Sequence, residues 1–509
     1  NAKSSWLQSS SPTQNGRFIR PSLILEKKIM RWNNWKIRVE AQEERSERRQ
    51  ANDAQLAASS FLFQRYAATI ASPEEEKWQW QASFRSRFDY QPNGANFSAT
   101  ALAQEGETTG RWRLGKQFNA SANLTYRELQ IINDGLTTLE PAQTLLGRID
   151  ATVNALKGGL RSNTTYEIGA GQEPLVEFVY LFVGAGQGQY IWLDSLYNND
   201  GKIQPNEMEI APFPDIADHI RVSIFTDEFI RTDNVVLNQS LQIDPSRWWS
   251  KSEKKWQQFA NRFSWQSSLS INRKVRDFQG VQTWNPFQLS LPDSALVAVS
   301  ANQRHILFFN RRSTKYDFQL EYNVQPRRQV PTTGFESRLQ RNNILRFRWN
   351  VTDASTFRME MAKSERESDS EFFNNKDYQL SGYLLQPAIS YQPGQDYRIT
   401  FTYLQQEEEN QLENTGDKLR RNEFQLEGNY QQFLRLNARY VNLKLEGDPR
   451  SPVGFVLLNG LQPGRNWIWN ASLTRQLGRY LQMTLTYEGR QTGEAQTVHV
   501  GRAQVTAIF

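Results

Sequence analysis

Hydrophobic and polar residues alternate one for one along stretch after stretch of this chain. In one run Trp78, Trp80, Ala82, Phe84, Phe88 and Tyr90 alternate with Lys77, Gln79, Gln81, Ser83, Arg85, Arg87 and Asp89. The same period recurs in Phe118–Tyr126, Phe263–Ile271, Tyr316–Val324, Tyr397–Tyr403 and Leu481–Tyr487, and in the tail from His499 to Phe509. A period of two sends successive side chains to opposite faces of a β-strand. Each run spans about nine to thirteen residues, the length a tilted strand needs to cross a bilayer. The pattern predicts an all-β fold, a large antiparallel transmembrane β-barrel of roughly 18 to 22 strands, even in number.

Composition points the same way. Of 509 residues, 38% are hydrophobic, 22% charged and 12% aromatic, and the mean hydropathy is −0.69. A soluble chain of this size fills its cores with more apolar residues, whereas a barrel with a polar interior needs no such core. The 15 Trp, 18 Tyr and 29 Phe suit aromatic girdles at the two membrane interfaces. No run of eighteen apolar residues exists, so no transmembrane helix is expected. Cysteine is absent, which removes disulfides, thiolate metal sites and a cysteine nucleophile. The net charge of +6 is small for the length, and no basic, aromatic-interleaved stripe suggests nucleic acid. The sequence opens at Asn1 with no initiator methionine or signal peptide, which reads either as a leader already cleaved or, favoured because strand-like sequence opens by Arg17, as the rear part of a longer polypeptide.

Turn residues mark short connections at Gln91-Pro92-Asn93-Gly94, Lys157-Gly158-Gly159, Gln392-Pro393-Gly394 and Leu477-Gly478-Arg479. Charged stretches at 43–53, 363–373, 405–419 and 447–465 read as long loops, and in the last third short and long connections alternate. The stretch 172–233 breaks the rhythm and carries its own strand signal at Phe178–Val183. It reads as a small folded insertion, on the outer rim or plugging the lumen, between barrel strands at 1–171 and at 234–509.

The insertion holds the one motif with ligand chemistry. Asn198, Asp200, Gly201 and Glu207 occupy the third, fifth, sixth and twelfth places of a calcium loop. The first place falls on Leu196, which cannot ligate, and Asp194 can replace it only if the loop bulges. The competing reading is a polar Asx-type turn at Asn-Asp-Gly. Calcium is the only cofactor the sequence suggests.

Arginines recur on the polar faces at Arg85, Arg87, Arg346, Arg348, Arg398, Arg435, Arg439 and Arg475. On a lipid face each would cost about 2–4 kcal/mol at mid-depth, so they are expected to face the lumen. There they either line a conduit or pair with carboxylates such as Asp317 and Glu321. Only three histidines exist, His219, His305 and His499, and His499, at the start of the last strand, has no adjacent serine or carboxylate pattern to mark it as a catalytic base. No enzyme activity is expected.

Four blocks together resemble a family of large outer-membrane proteins of Bacteroidota. They are Tyr166-Glu-Ile-Gly-Ala-Gly-Gln-Glu-Pro174; Gly186-Gln-Gly188 with Asp194, Asn199-Asp-Gly201 and Asn206-Glu-Met-Glu209; Asn459-Gly-Leu-Gln-Pro-Gly464; and Val498-His-Val-Gly-Arg-Ala503. The resemblance runs from about Tyr166 onward and implies a multi-pass outer-membrane barrel at the C-terminal end of a longer polypeptide. The terminal Phe509 resembles the signal read by barrel-assembly machinery. Outer-membrane lipid and lipopolysaccharide are the expected surroundings, with surface lipoproteins or secretion components as candidate partners. Two functions remain open: a transport or export conduit, and a non-conducting anchor for surface loops or an N-terminal domain.

Overall fold

A computed structural model describes residues 1–10, 14–30, 34–50, 54–73, 77–276, 282–289, 296–329, 335–371, 374–412, 416–431, 433–478 and 480–507. Phe509, Arg479 and the end of the 43–53 stretch lie outside the described residues.

The chain divides into two compact units. The first comprises Asn1–Gly171 with Thr232–Gln239 and Gln282–Pro286. It holds β1 (Ala2–Ser10), β2 (Gln14–Ile29), β3 (Trp35–Gln50), β4 (Phe61–Ala71), β5 (Trp78–Asn93), β6 (Asn96–Leu114), β7 (Phe118–Ile131), β8 (Ala142–Ala155) and the first part of β9 (Leu160–Phe182). Each strand pairs antiparallel with the next.

The second unit carries the end of β9, β10 (Tyr190–Trp192), β11 (Met208–Ile210) and both ends of β12 (His219–Ile243). It continues through α1 (Lys255–Ala260), β13 (Phe263–Val275), β14 (Leu296–Phe309), β15 (Tyr316–Gln329), β16 (Glu336–Asn350), β17 (Ser355–Ser370) and β18 (Tyr378–Tyr391). It closes with β19 (Tyr397–Asn410), β20 (Lys418–Tyr430), β21 (Leu434–Glu446), α2 (Pro452–Leu458), β22 (Gly464–Gln476), β23 (Leu481–Thr492) and β24 (Val498–Ala507). From β13 to β24 every consecutive pair is antiparallel. The expected fold class is found: all-β, antiparallel, built of the long two-faced strands used by outer-membrane barrels, with a small folded insertion. Among the 24 described strands only β10 and β11 are short, leaving 22 long ones at the top of the expected range.

The ladder registers keep apolar residues together. In the second unit Phe318 stands opposite Phe347, their rings stacked at 4.6 Å, and Phe424 lies between Phe401 and Tyr440. In the first unit Trp35 meets Trp78 and Trp80 at about 6 Å, and Trp112 meets Phe118 edge-on. These rings gather beside the connections 30–34, 72–77 and 115–117, at one end of the strands, as in an aromatic girdle. Trp78, Trp112, Phe318, Leu320, Phe401, Phe424 and Leu426 are all exposed.

Two readings need correction. The charged stretches 43–53, 363–373 and 405–419 are not loops for most of their length: β3 runs to Gln50, β17 to Ser370, β19 to Asn410, and β20 starts at Lys418. Strand length was correspondingly underestimated, β6 reaching 19 residues and β17 reaching 16. The physical reason is pairing across the ladder. Glu365 bonds Arg341, Arg366 bonds Glu408 at 2.8 Å and Glu407 faces Arg420 at 3.5 Å, so these charges satisfy one another on paired strands. The 447–465 stretch is a loop, and it folds around α2, capped by the Ser451 hydroxyl accepting from the Gly454 N–H at 2.9 Å.

Candidate functional site

From β16 onward the connections alternate between two ends. Those at 351–354, 392–396, 431–433 and 477–480 are tight; at the other end those at 371–377, 411–417 and 447–463 are longer, and the last, 493–497, is short. At the longer-loop end α2 lies on the polar-face side of the sheet. Val453, Leu457, Leu458 and Leu461 pack there against Leu380, Leu419, Val441 and Leu443. These wall residues share a face with Arg421, Glu423 and Arg439, so the polar face ends in an apolar seat that the helix covers.

The insertion docks beside that seat. Phe213 joins the apolar cluster, and Pro212 sits on Gly460, where an added Cβ would come within 2.1 Å of the proline ring. Asp215 accepts from the Arg490 guanidinium, at 2.7 Å for one contact, and that guanidinium also lies over the Phe213 ring at 4.3 Å. The Arg490 hydrogen bond holds the Asp215 carboxyl below the usual carboxylate range. A second anchor is Lys376, which donates to Glu209 at 2.8 Å and to the Met208 carbonyl at 3.3 Å. Glu209 also accepts from the Tyr197 hydroxyl at 2.7 Å. Burial, reinforced by that carboxylate, pushes the Tyr197 phenol up. A cleft remains between Phe178, Tyr180 and Tyr190 of the insertion and Arg327, Glu336 and Arg366 of the wall. Since 327, 336 and 366 belong to the polar faces of β15, β16 and β17, the insertion lies over that face. Sequence reasoning missed Asp215, Glu209, Lys376 and Arg490, because partners 167 to 275 positions apart leave no local signal.

Within the insertion Asp194, Asp200 and Glu207 come together, one carboxylate oxygen from each lying within 4.8 Å of the others. Asp194 accepts from the backbone N–H of Asp200 and of Gly201, each at 3.0 Å. A single helical turn at Asp194–Leu196 turns its carboxylate back into the loop. The Asn198 side chain accepts from the Asp200 N–H at 3.2 Å. Glu207 is fully buried; one of its oxygens accepts from Trp192 Nε1 at 2.8 Å and from the Gln204 N–H at 3.2 Å.

The arginines divide into two groups. Arg85 bonds Glu105 and Glu107, and Arg87 bonds Asp89 at 2.7 Å. Arg346 bridges Glu321 and Glu360 at 2.6 and 2.8 Å, Arg348 bonds Asp317 and Arg439 faces Glu423 at 3.2 Å. Glu321 is also bonded by Arg304, so one buried carboxylate joins three strands. Arg398 and Arg435 have no acid partner among the described residues; Asn429 stands between them in register. Arg475 shares the parity of Leu473 and faces Met483, so it belongs to the end of the apolar face rather than to the polar one. His499 also lies on the apolar side, stacked on Tyr487 and bonded to its hydroxyl at 2.8 Å. His219 bonds Asp218 at 2.7 Å, and His305 stacks between Trp265 and Tyr322.

No protein-family model matches this chain, and no curated protein matches it. Among solved structures it is similar to the ferric-catecholate import receptor Fiu of E. coli K12 in its closed form, at TM-score 0.36 and 9% identity over 99% of this chain and 81% of that one. It is also similar to OccK11 (OpdR) of Pseudomonas aeruginosa, at TM-score 0.31 and 9% identity over 87% and 95%. A third is the ferric yersiniabactin uptake receptor FyuA of Yersinia pestis, at TM-score 0.28 and 8% identity over 97% and 71%. Scores this low fix neither cargo nor partners.

Proposed function

We propose that the chain is an integral outer-membrane β-barrel that acts as a transport or export conduit, with the 172–233 insertion as its cover. The observation that carries this is where the insertion docks. It is held by Asp215–Arg490 and Glu209–Lys376 on the polar face of the second unit, at the longer-loop end. A cover on the polar face has a purpose only if that face borders a path. Arg398 and Arg435 near the tight-turn end, without an acid partner among the described residues, supply that path with positive charge. The motif resemblance supports an origin in Bacteroidota, and surface lipoproteins or secretion components are the partners this reading expects. Barrel-assembly machinery reading Phe509 would insert it beside lipid and lipopolysaccharide.

The second reading, a non-conducting anchor, is favoured by the Arg304–Glu321–Arg346–Glu360 chain, which stiffens the polar face. Planar-bilayer recording separates the two. The conduit reading expects small or no steps from the intact protein and clear steps once residues 183–218 are replaced by a short Gly-Ser linker. Silence from both forms supports the anchor.

A further inference from the structure

We infer that Asp194, Asn198, Asp200 and Glu207 form a calcium site inside the insertion, independently of whether the protein conducts. Three carboxylates, formally −3, converge there, and among the described residues none has a lysine or arginine ion pair. One oxygen from each lies within 4.8 Å of the others, which is about twice a Ca²⁺–O bond of roughly 2.4 Å. The decisive group is Glu207. Its carboxylate is 0% exposed, and while one oxygen accepts two hydrogen bonds, Oε1 has no hydrogen-bond partner. A buried carboxylate oxygen with neither a donor nor a cation is strongly disfavoured, and a metal ion in the cluster supplies the missing charge.

The donors choose the ion. Carboxylates and an amide oxygen, without histidine or cysteine, suit a hard cation rather than zinc. Protein oxygens from four side chains on an irregular loop suit calcium better than magnesium, which keeps several waters and demands octahedral geometry. Leucine at the first place, Leu196, does not spoil the set, because Asp194, two residues earlier, accepts from the loop amides of Asp200 and Gly201. Its N–H contacts leave lone pairs for a metal. Asp200 is exposed, giving the ion a way in.

Trp192 provides the readout, since its indole touches Glu207. Full-length protein in detergent micelles, titrated with Tb³⁺ and excited at tryptophan, is expected to give a saturable sensitised emission. Ca²⁺ should abolish it and equal Mg²⁺ should not. Glu207→Gln should lose the signal; because that buried variant risks misfolding, the exposed Asp200→Asn is the second arm, expected to fold normally and weaken Ca²⁺ competition about tenfold or more. No saturable, calcium-displaceable emission from the wild type would overturn the site. So would Asp200→Asn and Asp194→Asn proteins that bind as tightly as wild type.

Discussion

At the residue scale, the polar face is governed by which charges find partners. Glu321 is buried and accepts from both Arg304 and Arg346, so Glu321→Gln takes the acid from Arg304 and leaves Arg346 with Glu360 alone. It should cost about 3 kcal/mol, read as a lower urea midpoint of unfolding in micelles, while Glu409→Gln at the exposed strand end should change little. Asp215 has a clear pH signature. Its folded-state carboxyl is held low by Arg490, so the stabilisation is present above the ordinary carboxylate range and is lost as pH falls below about 4 through the depressed value. Hydrogen exchange across 205–218 should accelerate in that acid window. In Asp215→Asn it should already be faster at neutral pH by about 1 kcal/mol of opening energy, the partly solvated pair being worth less than a buried one. The arginines were legible in the sequence as polar-face residues wherever they sat inside a clean alternation, as Arg346 and Arg348 do. Arg475 was misread because the run around it, Leu473-Thr-Arg-Gln-Leu477, ends its alternation there.

At the element scale, alternation gave the strands and their faces, and failed at their ends. Runs such as Glu40–Gln50 in β3 and Glu360–Ser370 in β17 carry too many charges to display a two-faced pattern. They stay in the sheet because ladder neighbours such as Glu365 and Arg341 neutralise each other, a long-range fact invisible in a linear reading. The two faces make opposite demands on substitution. Phe424→Arg, on the exposed apolar side of β20, should cost about 2–4 kcal/mol of folding into lipid bilayers, whereas Gln425→Arg on the other face should fold with near-native yield. The loop around α2 meets a backbone demand. Gly460 has φ of +75° and no room for a Cβ beside Pro212. Gly460→Ala should therefore loosen the insertion, seen as new protease cleavage within 172–233, without lowering the melting temperature of the strands.

At the scale of the whole molecule, the sequence disclosed a two-faced all-β chain with an insertion but not how the insertion is held. The Asn-Asp-Gly segment was legible as a candidate ligand loop. The buried orphan oxygen of Glu207 and the distant anchors Lys376 and Arg490 depend on tertiary contact alone. The central claim is that the apolar face meets lipid. The most direct measurement reconstitutes the protein in vesicles containing brominated acyl chains and compares tryptophan quenching with that by aqueous acrylamide. Trp78, Trp80, Trp112 and Trp467, all exposed on that face, should be quenched strongly by bromine and weakly by acrylamide. A protein that stays monomeric and folded in buffer without detergent, with those tryptophans open to acrylamide and untouched by bromine, would contradict the account.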